Sequence, residues 1–318
     1  MYSAEFDYEK VNSLTDAIRL LGSTPNSKLL AGGHSLIPMM KLRLSQPALL
    51  VDISGISGLK GIRLNNGMLE IGPLTTHYEI ATSSDVSHSN PLMTMVANGI
   101  GDPQVRNRGT IGGNLAHADP ASDWATVLTA LGATIHIQGA DGSRTVEIGD
   151  FIEGPFSTVL DEGEIITSIH APVLSGHRHE EHGGHDHGHH DDHGHEHEHG
   201  AVEIHGEVGE YAKMAHPASF YAVIGGAVIV TVEDNRCTAA RVAVGGLVPK
   251  PIRTTSVENA LIGKELTSDN ITDAVNHMYD DLGDDILGDV YASADFRRNI
   301  APIEVKHALL HATGVAHH

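Results

Sequence analysis

Two pairs of glycines, each flanked by polar residues, are the features of the sequence best suited to hold a phosphate group. They lie in the segments Ala31-Gly32-Gly33-His34-Ser35 and Thr110-Ile111-Gly112-Gly113-Asn114. Adjacent glycines remove two Cβ atoms in succession, so the backbone bends sharply and a ligand reaches bare N–H groups. The hydroxyl of Thr110 and the amide of Asn114 can reach phosphate or sugar oxygens. The two segments therefore predict the grip on one large phosphate-bearing ligand; two plain tight turns are the alternative.

The stretch that follows the second segment carries His117, Asp119 and Asp123, which we assign to the same site. A carboxylate does not bind phosphate, but it accepts hydrogen bonds from the hydroxyls of a sugar chain. For Asp123 the alternative is a structural role, such as capping a helix that begins near Ala121. Residues 124–131 are apolar and are expected to anchor the segment in a core.

Length and charge exclude several classes of protein. The 318 residues suffice for two or three domains with a full core. A net charge of -21 argues against nucleic acid and against an anionic membrane surface, because both attract clustered Lys and Arg. No apolar run is long enough for a transmembrane helix, and the acidic, polar start does not resemble a secretory signal. A cytosolic protein is expected.

The single cysteine restricts the redox chemistry that the chain can carry. Cys237 has no partner for an internal disulfide. One thiolate is also too few for an iron–sulfur cluster, which needs four ligands. If the protein takes part in redox chemistry, its own cofactor is organic or the metal centres lie on other chains.

Hydrophobic periodicity divides the chain into α/β units. Residues 4–57 are predicted as strand, helix, strand, helix and strand, with Ser13 and Ser35 capping the two helices and the second running to Leu44. Residues 58–175 form a second α/β unit that contains the second glycine segment and a short helix at residues 76–82. Beyond residue 206 a separate α+β domain follows. In it, residues 222–232 are a long strand or a buried helix, residues 271–282 are one helix, and residues 302–311 are the last helix.

A histidine-rich tract separates these units. Residues 177–199 hold 11 of the 24 histidines, together with Glu, Asp and Gly, and show no apolar periodicity. Imidazole suits Zn, Ni and Cu, so one interpretation is a metal-binding tract, with His185, His187, His189 and His190 as candidate ligands. The other is a solvated linker, spanning residues 176–206, that captures metal only incidentally.

The two glycine segments, with Leu36, Ile37 and Pro38 after the first, resemble the FAD-binding signatures of the flavoprotein subunits of molybdenum hydroxylases. The similarity covers nearly the whole chain, includes the tail at residues 292–298, and is greatest to the medium subunits of aerobic carbon monoxide dehydrogenases. It implies an α+β fold with a two-lobed FAD-binding domain of the PCMH type, residues 1–57 and 58–175. A smaller α+β domain, residues 207–318, follows the linker.

The resemblance also implies roles for individual residues. The glycine segments, including Leu36 and Ile111, would hold the FAD pyrophosphate, and Asp123 would bind the ribityl chain. Ile166 would lie near the ring or the adenine end. Tyr211 and Lys213 match a Tyr-x-Lys segment near the isoalloxazine, whereas composition alone favours a core aromatic and a surface lysine.

Three features leave alternatives open around this site. His34 is a hydrogen-bonding turn residue or, as in some flavoproteins, a covalent flavin attachment point. His216 stands where the family often carries Arg, which puts that contact in question. The histidine-rich tract precedes Tyr211 closely enough in sequence to crowd or cover the flavin edge.

The function implied is electron transfer. A large molybdopterin-binding subunit would oxidise the substrate, and a small subunit with two [2Fe–2S] clusters would relay the electrons. FAD on this chain would pass them to quinone, another acceptor or oxygen, in a cytoplasmic heterohexamer associated with the inner face of the membrane. The alternatives are a subunit of a xanthine-, aldehyde- or N-heterocycle-oxidising enzyme, a stand-alone FAD oxidase, and a histidine-rich metal-binding protein.

Overall fold

The fold is taken from a computed structural model that describes residues 2–179 and 203–315. The first lobe contains five elements: β1 (Asp7–Lys10), α1 (Leu14–Ser23), β2 (Ser27–Leu30), α2 (Leu36–Lys41) and β3 (Leu49–Asp52). The three strands form a parallel sheet in the order β1-β3-β2. The predicted alternation of strands and helices over residues 4–57 is therefore confirmed.

The starts of the two helices in this lobe differ. The Ser13 hydroxyl oxygen accepts a hydrogen bond from the Asp16 backbone N–H and caps α1 as predicted. Ser35 precedes α2 but makes no capping bond with its side chain, so that prediction is wrong. Helix α2 also ends at Lys41 rather than Leu44, because the chain turns through a positive φ of 60° at Arg43.

The second lobe is built on an antiparallel sheet with helices packed against it. Its elements are β4 (Ile62–Asn65), β5 (Met68–Ile71), α3 (His77–Ala81), α4 (Ser84–Ser89), α5 (Pro91–Gly99), α6 (Pro103–Arg108), α7 (Ile111–His117), α8 (Asp123–Leu131), β6 (Thr134–Gly139), β7 (Gly142–Glu147), α9 (Ile148–Phe151), β8 (Ile152–Gly154), β9 (Ser157–Thr158) and β10 (Ile165–Pro172). The sheet order is β4-β5-β10-β6-β7. Helix α8 is buried along its whole length in the core of this lobe.

The C-terminal unit is an antiparallel sheet covered by helices. Its elements are β11 (His177–His179), β12 (Glu203–Ala215), β13 (Ala222–Glu233), β14 (Arg236–Gly245), β15 (Ile252–Arg253), α10 (Thr255–Leu261), α11 (Ser268–Asn276), α12 (Met278–Asp281) and α13 (Ala294–Thr313). The strands follow one another in sequence order across the sheet. No described helix is long and apolar enough to cross a membrane.

The strand β13 joins the second lobe to the C-terminal unit. Ala227 and Ile229 belong to the core around α8, whereas the alternate residues Val228 and Val230 belong to the core beneath α13. Successive side chains of a strand point to opposite faces, and both faces of β13 are covered. This double cover explains the continuous apolar run and decides between the strand and the buried helix that the sequence left open.

Three predicted boundaries in this part of the chain are wrong. The last helix begins at Ala294, with Ser293 as its cap, and continues through Pro302, which lies inside it rather than at its start. The helical stretch before it is divided into α11 and α12 at His277. Residues 177–179 of the predicted linker form β11, paired with the start of β12, because ladder hydrogen bonds need no apolar side chains.

Candidate functional site

A cleft of ≈ 910 Å³ runs between the two lobes and reaches the loop before β13 in the C-terminal unit. Most of the predicted site residues line it: Ala31, Gly32, Gly33, His34, Ser35, Leu36, Thr110, Gly112, Gly113, Asn114, His117, Asp123 and Ile166. Both glycine segments therefore face one cavity, as the sequence predicted. The remaining four predicted residues, Ile111, Asp119, Tyr211 and Lys213, do not line this cleft.

The first glycine segment is an irregular turn that presses against the second lobe. A Cβ at Gly32 would lie 2.2 Å from the Arg108 carbonyl oxygen and 3.1 Å from the Cα of Gly109. Gly33 has a φ of +78°, a conformation that other residues adopt only with strain. His34 extends from this turn and its Nε2 contacts the Gln104 carbonyl oxygen at 3.2 Å, which favours the hydrogen-bonding role over covalent attachment of the flavin.

The second glycine segment is the first turn of α7 and not a tight turn. Neither Gly112 nor Gly113 has a positive φ, so the predicted sharp bend is wrong. The Thr110 hydroxyl oxygen accepts a hydrogen bond from the Gly113 N–H and caps the helix. Gly112 is needed for packing, because a Cβ there would lie 2.3 Å from the Cβ of Pro73.

Several polar groups assigned to the ligand also bind their neighbours in the protein. The Ser122 hydroxyl donates to the Asn114 Oδ1 at 2.5 Å, and the Ala121 N–H donates to the Asp119 Oδ1 at 3.0 Å. The ring of His117 packs against Phe156, with centroids 5.1 Å apart. Ile111 is fully buried in the core of the second lobe. The proposed ligand contacts of these residues stay predictions.

Asp123 is the buried centre of an ion pair between the second lobe and β12. Tyr211 donates its hydroxyl to Oδ1 at 2.6 Å, and the Lys213 Nζ donates to Oδ2 at 2.9 Å. Burial raises the pKa of Asp123, while the charge of Lys213 and the two hydrogen bonds oppose that rise. The cap of α8 is Ser122, so the alternative of Asp123 as a helix cap is wrong.

Tyr211 and Lys213 close the cleft from behind. Lys213 is mostly buried and also donates to the carbonyl oxygens of Gly99 and Phe220, so it is not a surface lysine. Burial, and then the charge and hydrogen bond of Asp123, raise the pKa of Tyr211. On their far side both residues line a second cavity of ≈ 310 Å³, together with Glu304. Tyr211 and Lys213 thus separate the second cavity from the cleft, with Asp123 on the cleft side.

The histidine-rich tract leaves the fold at the opposite end of β12 from the cleft. Tyr211 lies eight residues along β12 from Glu203, which corresponds to ~27 Å at the usual rise of a strand. The points at which the tract is attached are therefore remote from the expected flavin edge. The candidate ligands His185, His187, His189 and His190 lie outside the described residues. Within residues 2–179 and 203–315, no group of His, Cys, Asp and Glu is arranged to hold a metal ion.

Sequence reasoning missed part of the cleft lining. His77 and Pro73 line it from the start of α3 and the loop before it, and residues 156–166 and 219–221 form its edges. Phe156 and Phe220 are exposed there with φ values of 57° and 60°, and Tyr221 is exposed beside Phe220. The predicted helix at residues 76–82 placed His77 near a helix start, but nothing in the sequence pointed it at the cleft.

The cleft between the lobes, faced by both glycine segments, is suited to one large phosphate-bearing ligand. Residues 4–174 match the family described as the FAD binding domain in molybdopterin dehydrogenase. Residues 210–312 match the CO dehydrogenase flavoprotein C-terminal domain. The chain belongs to this family, the FAD-binding medium subunits of molybdenum hydroxylases, which are subunits of oxidoreductases.

Relatives with different substrates in their names are about equally similar. The glyceraldehyde dehydrogenase medium chain of Sulfolobus acidocaldarius is 35% identical over 95% of this chain and 96% of its own length. The carbon monoxide dehydrogenase medium chain of Hydrogenophaga pseudoflava is 32% identical over 97% of both chains. The nicotine 6-hydroxylase medium subunit of Paenarthrobacter nicotinovorans is 31% identical over 96% of both chains.

Solved structures show the same architecture. Carbon monoxide dehydrogenase from Hydrogenophaga pseudoflava, in a form that lacks the Mo-pyranopterin moiety of its molybdenum cofactor, matches with a TM-score of 0.85, 32% identity and 99% of both chains covered. Quinoline 2-oxidoreductase from Pseudomonas putida 86 matches with a TM-score of 0.85 and 27% identity over 99% of both chains. The predicted two-part α+β architecture is confirmed.

The residues of the cleft fit FAD, the cofactor of the family. Where the two glycine segments meet, Gly32 lies against backbone atoms that leave no room for a Cβ, while Gly113 is partly exposed on the cleft wall. Backbone without side chains allows the close approach of a pyrophosphate. The N–H groups of residues 111–114 donate to Thr75, Pro73 and Thr110 within the protein. The aromatic side chains of Phe156 and Tyr221 stand at the opening, where flat rings can stack.

Proposed function

We propose that this chain is the electron-transferring subunit of a molybdenum hydroxylase complex and delivers electrons from partner [2Fe–2S] clusters to quinone or another external acceptor. The observation that supports this is the single cleft that collects both glycine segments between the lobes. When bound, FAD supplies the exchange between one-electron and two-electron chemistry. The proposal places a large molybdopterin-binding subunit and a small [2Fe–2S] subunit beside this chain, in a cytoplasmic heterohexamer at the inner face of the membrane.

The described side chains have three tasks in this proposal. The backbone of the glycine segments lies against the pyrophosphate, and the Thr110 hydroxyl oxygen fixes the start of α7 by accepting the hydrogen bond of the Gly113 N–H. The Asp123–Lys213 pair ties the second lobe to β12 and fixes the back of the cleft. Lys213 also holds the Phe220 carbonyl oxygen at 2.9 Å, which positions the loop at the opening. Cys237 is the only cysteine, so the iron–sulfur relay belongs to a partner.

For the substrate of the complex we propose carbon monoxide. The match of residues 210–312 to a CO dehydrogenase flavoprotein domain and the full-length similarity to CO dehydrogenase structures support this choice. Glyceraldehyde is the competing substrate, favoured by the 35% identity to a glyceraldehyde dehydrogenase medium chain. The residues that decide the substrate lie on the large subunit, so the assay must use the assembled complex.

The test is to purify the native complex through a tag on this chain and to measure acceptor reduction with CO and with glyceraldehyde. We expect co-purifying large and small subunits, flavin absorbance, and quinone reduction driven by CO. The comparison is the same complex carrying Gly32→Val in this chain. In it, substrate should still reduce the partner's iron–sulfur centres, while quinone reduction is lost together with the flavin. Substrate turnover by this chain alone would contradict the proposal and support a stand-alone oxidase.

The histidine-rich tract provides the test of the metal-binding alternative. A variant that joins Ser175 to Ala201 through a Gly-Ser link should keep its FAD and its rate of acceptor reduction, because the tract is attached far from the cleft. Deletion of the tract should remove the binding of divalent metal. In the wild-type chain this binding should weaken as pH falls, because ligation needs neutral imidazole. A loss of FAD in this variant would make the tract part of the flavin site.

A further inference from the structure

His77 is a buried histidine that lines the cleft. One of its ring nitrogens takes part in a hydrogen bond within the protein, and the other has no hydrogen-bond partner among the described residues. It begins α3, is only 3% exposed and lines the cleft near the second glycine segment. Its backbone N–H donates to the Gly109 carbonyl oxygen at 3.0 Å, which fixes the start of α3 against that segment. The fold therefore holds this imidazole in place from its backbone.

The partner of Nδ1 determines where the proton of the ring lies. The indole N–H of Trp124 donates to the Nδ1 of His77 at 3.1 Å. An indole nitrogen only donates, so Nδ1 must be the bare acceptor and the proton must reside on Nε2. Burial, together with the charges of His34 and Arg106, lowers the pKa of His77 to about 4. At neutral pH the ring is therefore a neutral Nε2–H donor.

The Nε2 atom points to where the two glycine segments meet. A Cβ at Gly109 would lie 2.8 Å from Nε2, and one at Gly32 would lie 3.1 Å from the Cα of Gly109. Gly32, Gly109 and the imidazole thus converge on one place. Among the described residues, no side chain or carbonyl group accepts a hydrogen bond from Nε2, and Nε2 is not a fully buried unsatisfied atom. The open direction for this donor is the cleft.

We infer that His77 is a ligand-positioning residue that donates its Nε2–H to an oxygen of the FAD pyrophosphate, with Trp124 holding the tautomer. This rests on the proposed use of the cleft for FAD. The acceptor is assigned to the pyrophosphate because the donor lies at the meeting point of the two glycine segments, where bare backbone approaches an anion. A sugar hydroxyl or the isoalloxazine would require the donor to lie farther along the cleft.

Two substitutions separate the donor from its role in folding. His77→Asn keeps an oxygen near the position of Nδ1, so Trp124 retains its acceptor, but the side chain is too short to place an N–H where Nε2 lies. His77→Gln reaches that position and restores the donor. Near-ultraviolet circular dichroism and the fluorescence of Trp124, the single tryptophan, report whether each variant keeps the native packing.

The binding measurement uses the full-length chain freed of flavin and titrated with FAD, ADP and riboflavin. We expect His77→Asn to weaken FAD and ADP by about tenfold to a hundredfold, as for loss of a hydrogen bond to a charged group, and to leave riboflavin unchanged. His77→Gln should recover most of the affinity. Unchanged ADP affinity in a folded His77→Asn protein, or an equal loss for riboflavin, would overturn the inference.

A spectroscopic measurement checks the tautomer directly. Nitrogen NMR of the apo chain should show a neutral ring with the proton on Nε2, and addition of ADP should shift that resonance and not the Nδ1 resonance. A proton on Nδ1 would overturn the inference. If the wild-type chain binds neither FAD nor ADP, the proposed function fails with it, whereas normal binding with an unaltered His77→Asn affinity rejects the role of His77 alone.

Discussion

The two glycine segments look alike in sequence but have different structures. In the first, the chain passes through an irregular turn, and Gly33 has a φ of +78°. In the second, the glycines lie in the first turn of α7 with ordinary helical backbone, capped by Thr110. The first segment needs glycine for its backbone conformation and its close approach to Arg108. The second needs it for packing on Pro73 and for access from the cleft.

This difference shows that two adjacent positions can require glycine for different physical reasons. Gly112 is buried and faces Pro73, whereas Gly113 is partly exposed, and a Cβ there would contact Thr110 and Ala31. We therefore expect one glycine of the second pair to serve the fold and the other to serve the ligand. In the first pair, Gly32 serves the contact between lobes and Gly33 serves the turn.

The largest effect is expected for Gly112→Ala. Its Cβ would overlap the Cβ of Pro73 at 2.3 Å, and the proline ring cannot rotate away. We expect the free energy of unfolding to fall by about 3 kcal/mol, the upper range for an overpacked core, with loss of FAD. Chemical denaturation and the flavin content of the purified chain measure both effects.

Gly113→Ala is the matched control. The nearest atom to its Cβ is the Thr110 Oγ1 at 2.8 Å, a side-chain atom that can move, and alanine favours the helix. The chain should stay within about 1 kcal/mol of wild-type stability while FAD affinity falls, because the methyl group narrows the cleft. Equal destabilisation by the two substitutions would contradict the division of roles.

The second prediction concerns pH and distinguishes the histidines beside the two segments. The folded pKa of His77 is about 4 against an ordinary value of 6.5. As pH falls, the unfolded chain binds this proton first, so stability is complete above pH 6.5 and is lost towards pH 4. The loss amounts to about 3 kcal/mol for a shift of this size.

The measurement compares the free energy of unfolding at several pH values for wild type, His77→Gln and His34→Gln. Carboxylates titrate in part of this window too, so the informative quantity is the difference between curves. His77→Gln should flatten the acid slope, and His34→Gln should change it much less, because burial is the largest cause of the lowered pKa of His77 and the charge of His34 is a smaller one. The same slope in all three proteins would show that His77 does not titrate as a buried neutral group.

Much of the fold was predictable because it depends on local periodicity. The alternation in the first lobe follows from apolar spacing and turn residues, whereas the apolar run of β13 left a strand and a buried helix open. The start of the last helix was not predictable, because Pro302 lies inside the helix and not in its first turn. A proline signals a helix start only where no tertiary packing overrides it.

The candidate site was predictable where the backbone of the glycine segments forms it. Glycine pairs mark close approach, and both segments do line one cleft. The contributions of His77 and of the Asp123–Lys213 pair depend on contacts between residues 47 and 90 positions apart in sequence. Such contacts leave no spacing signal in a single sequence. The distance between the cleft and the points where the histidine-rich tract is attached was hidden for the same reason, since it depends on the length and direction of β12.

The smallest effect tests the two hydroxyl residues at the helix starts, Thr110 and Ser35. Thr110 caps α7, so Thr110→Ala should cost about 1 kcal/mol of stability, and Thr110→Ser should restore it. Ser35 makes no capping bond, so Ser35→Ala should change stability by less than about 0.5 kcal/mol. If its hydroxyl is kept for the pyrophosphate, Ser35→Ala should instead weaken FAD by about tenfold. Denaturation of the flavin-free chain measures stability, and titration with FAD measures affinity. A loss of stability in Ser35→Ala equal to that in Thr110→Ala would show that the two helix starts are alike.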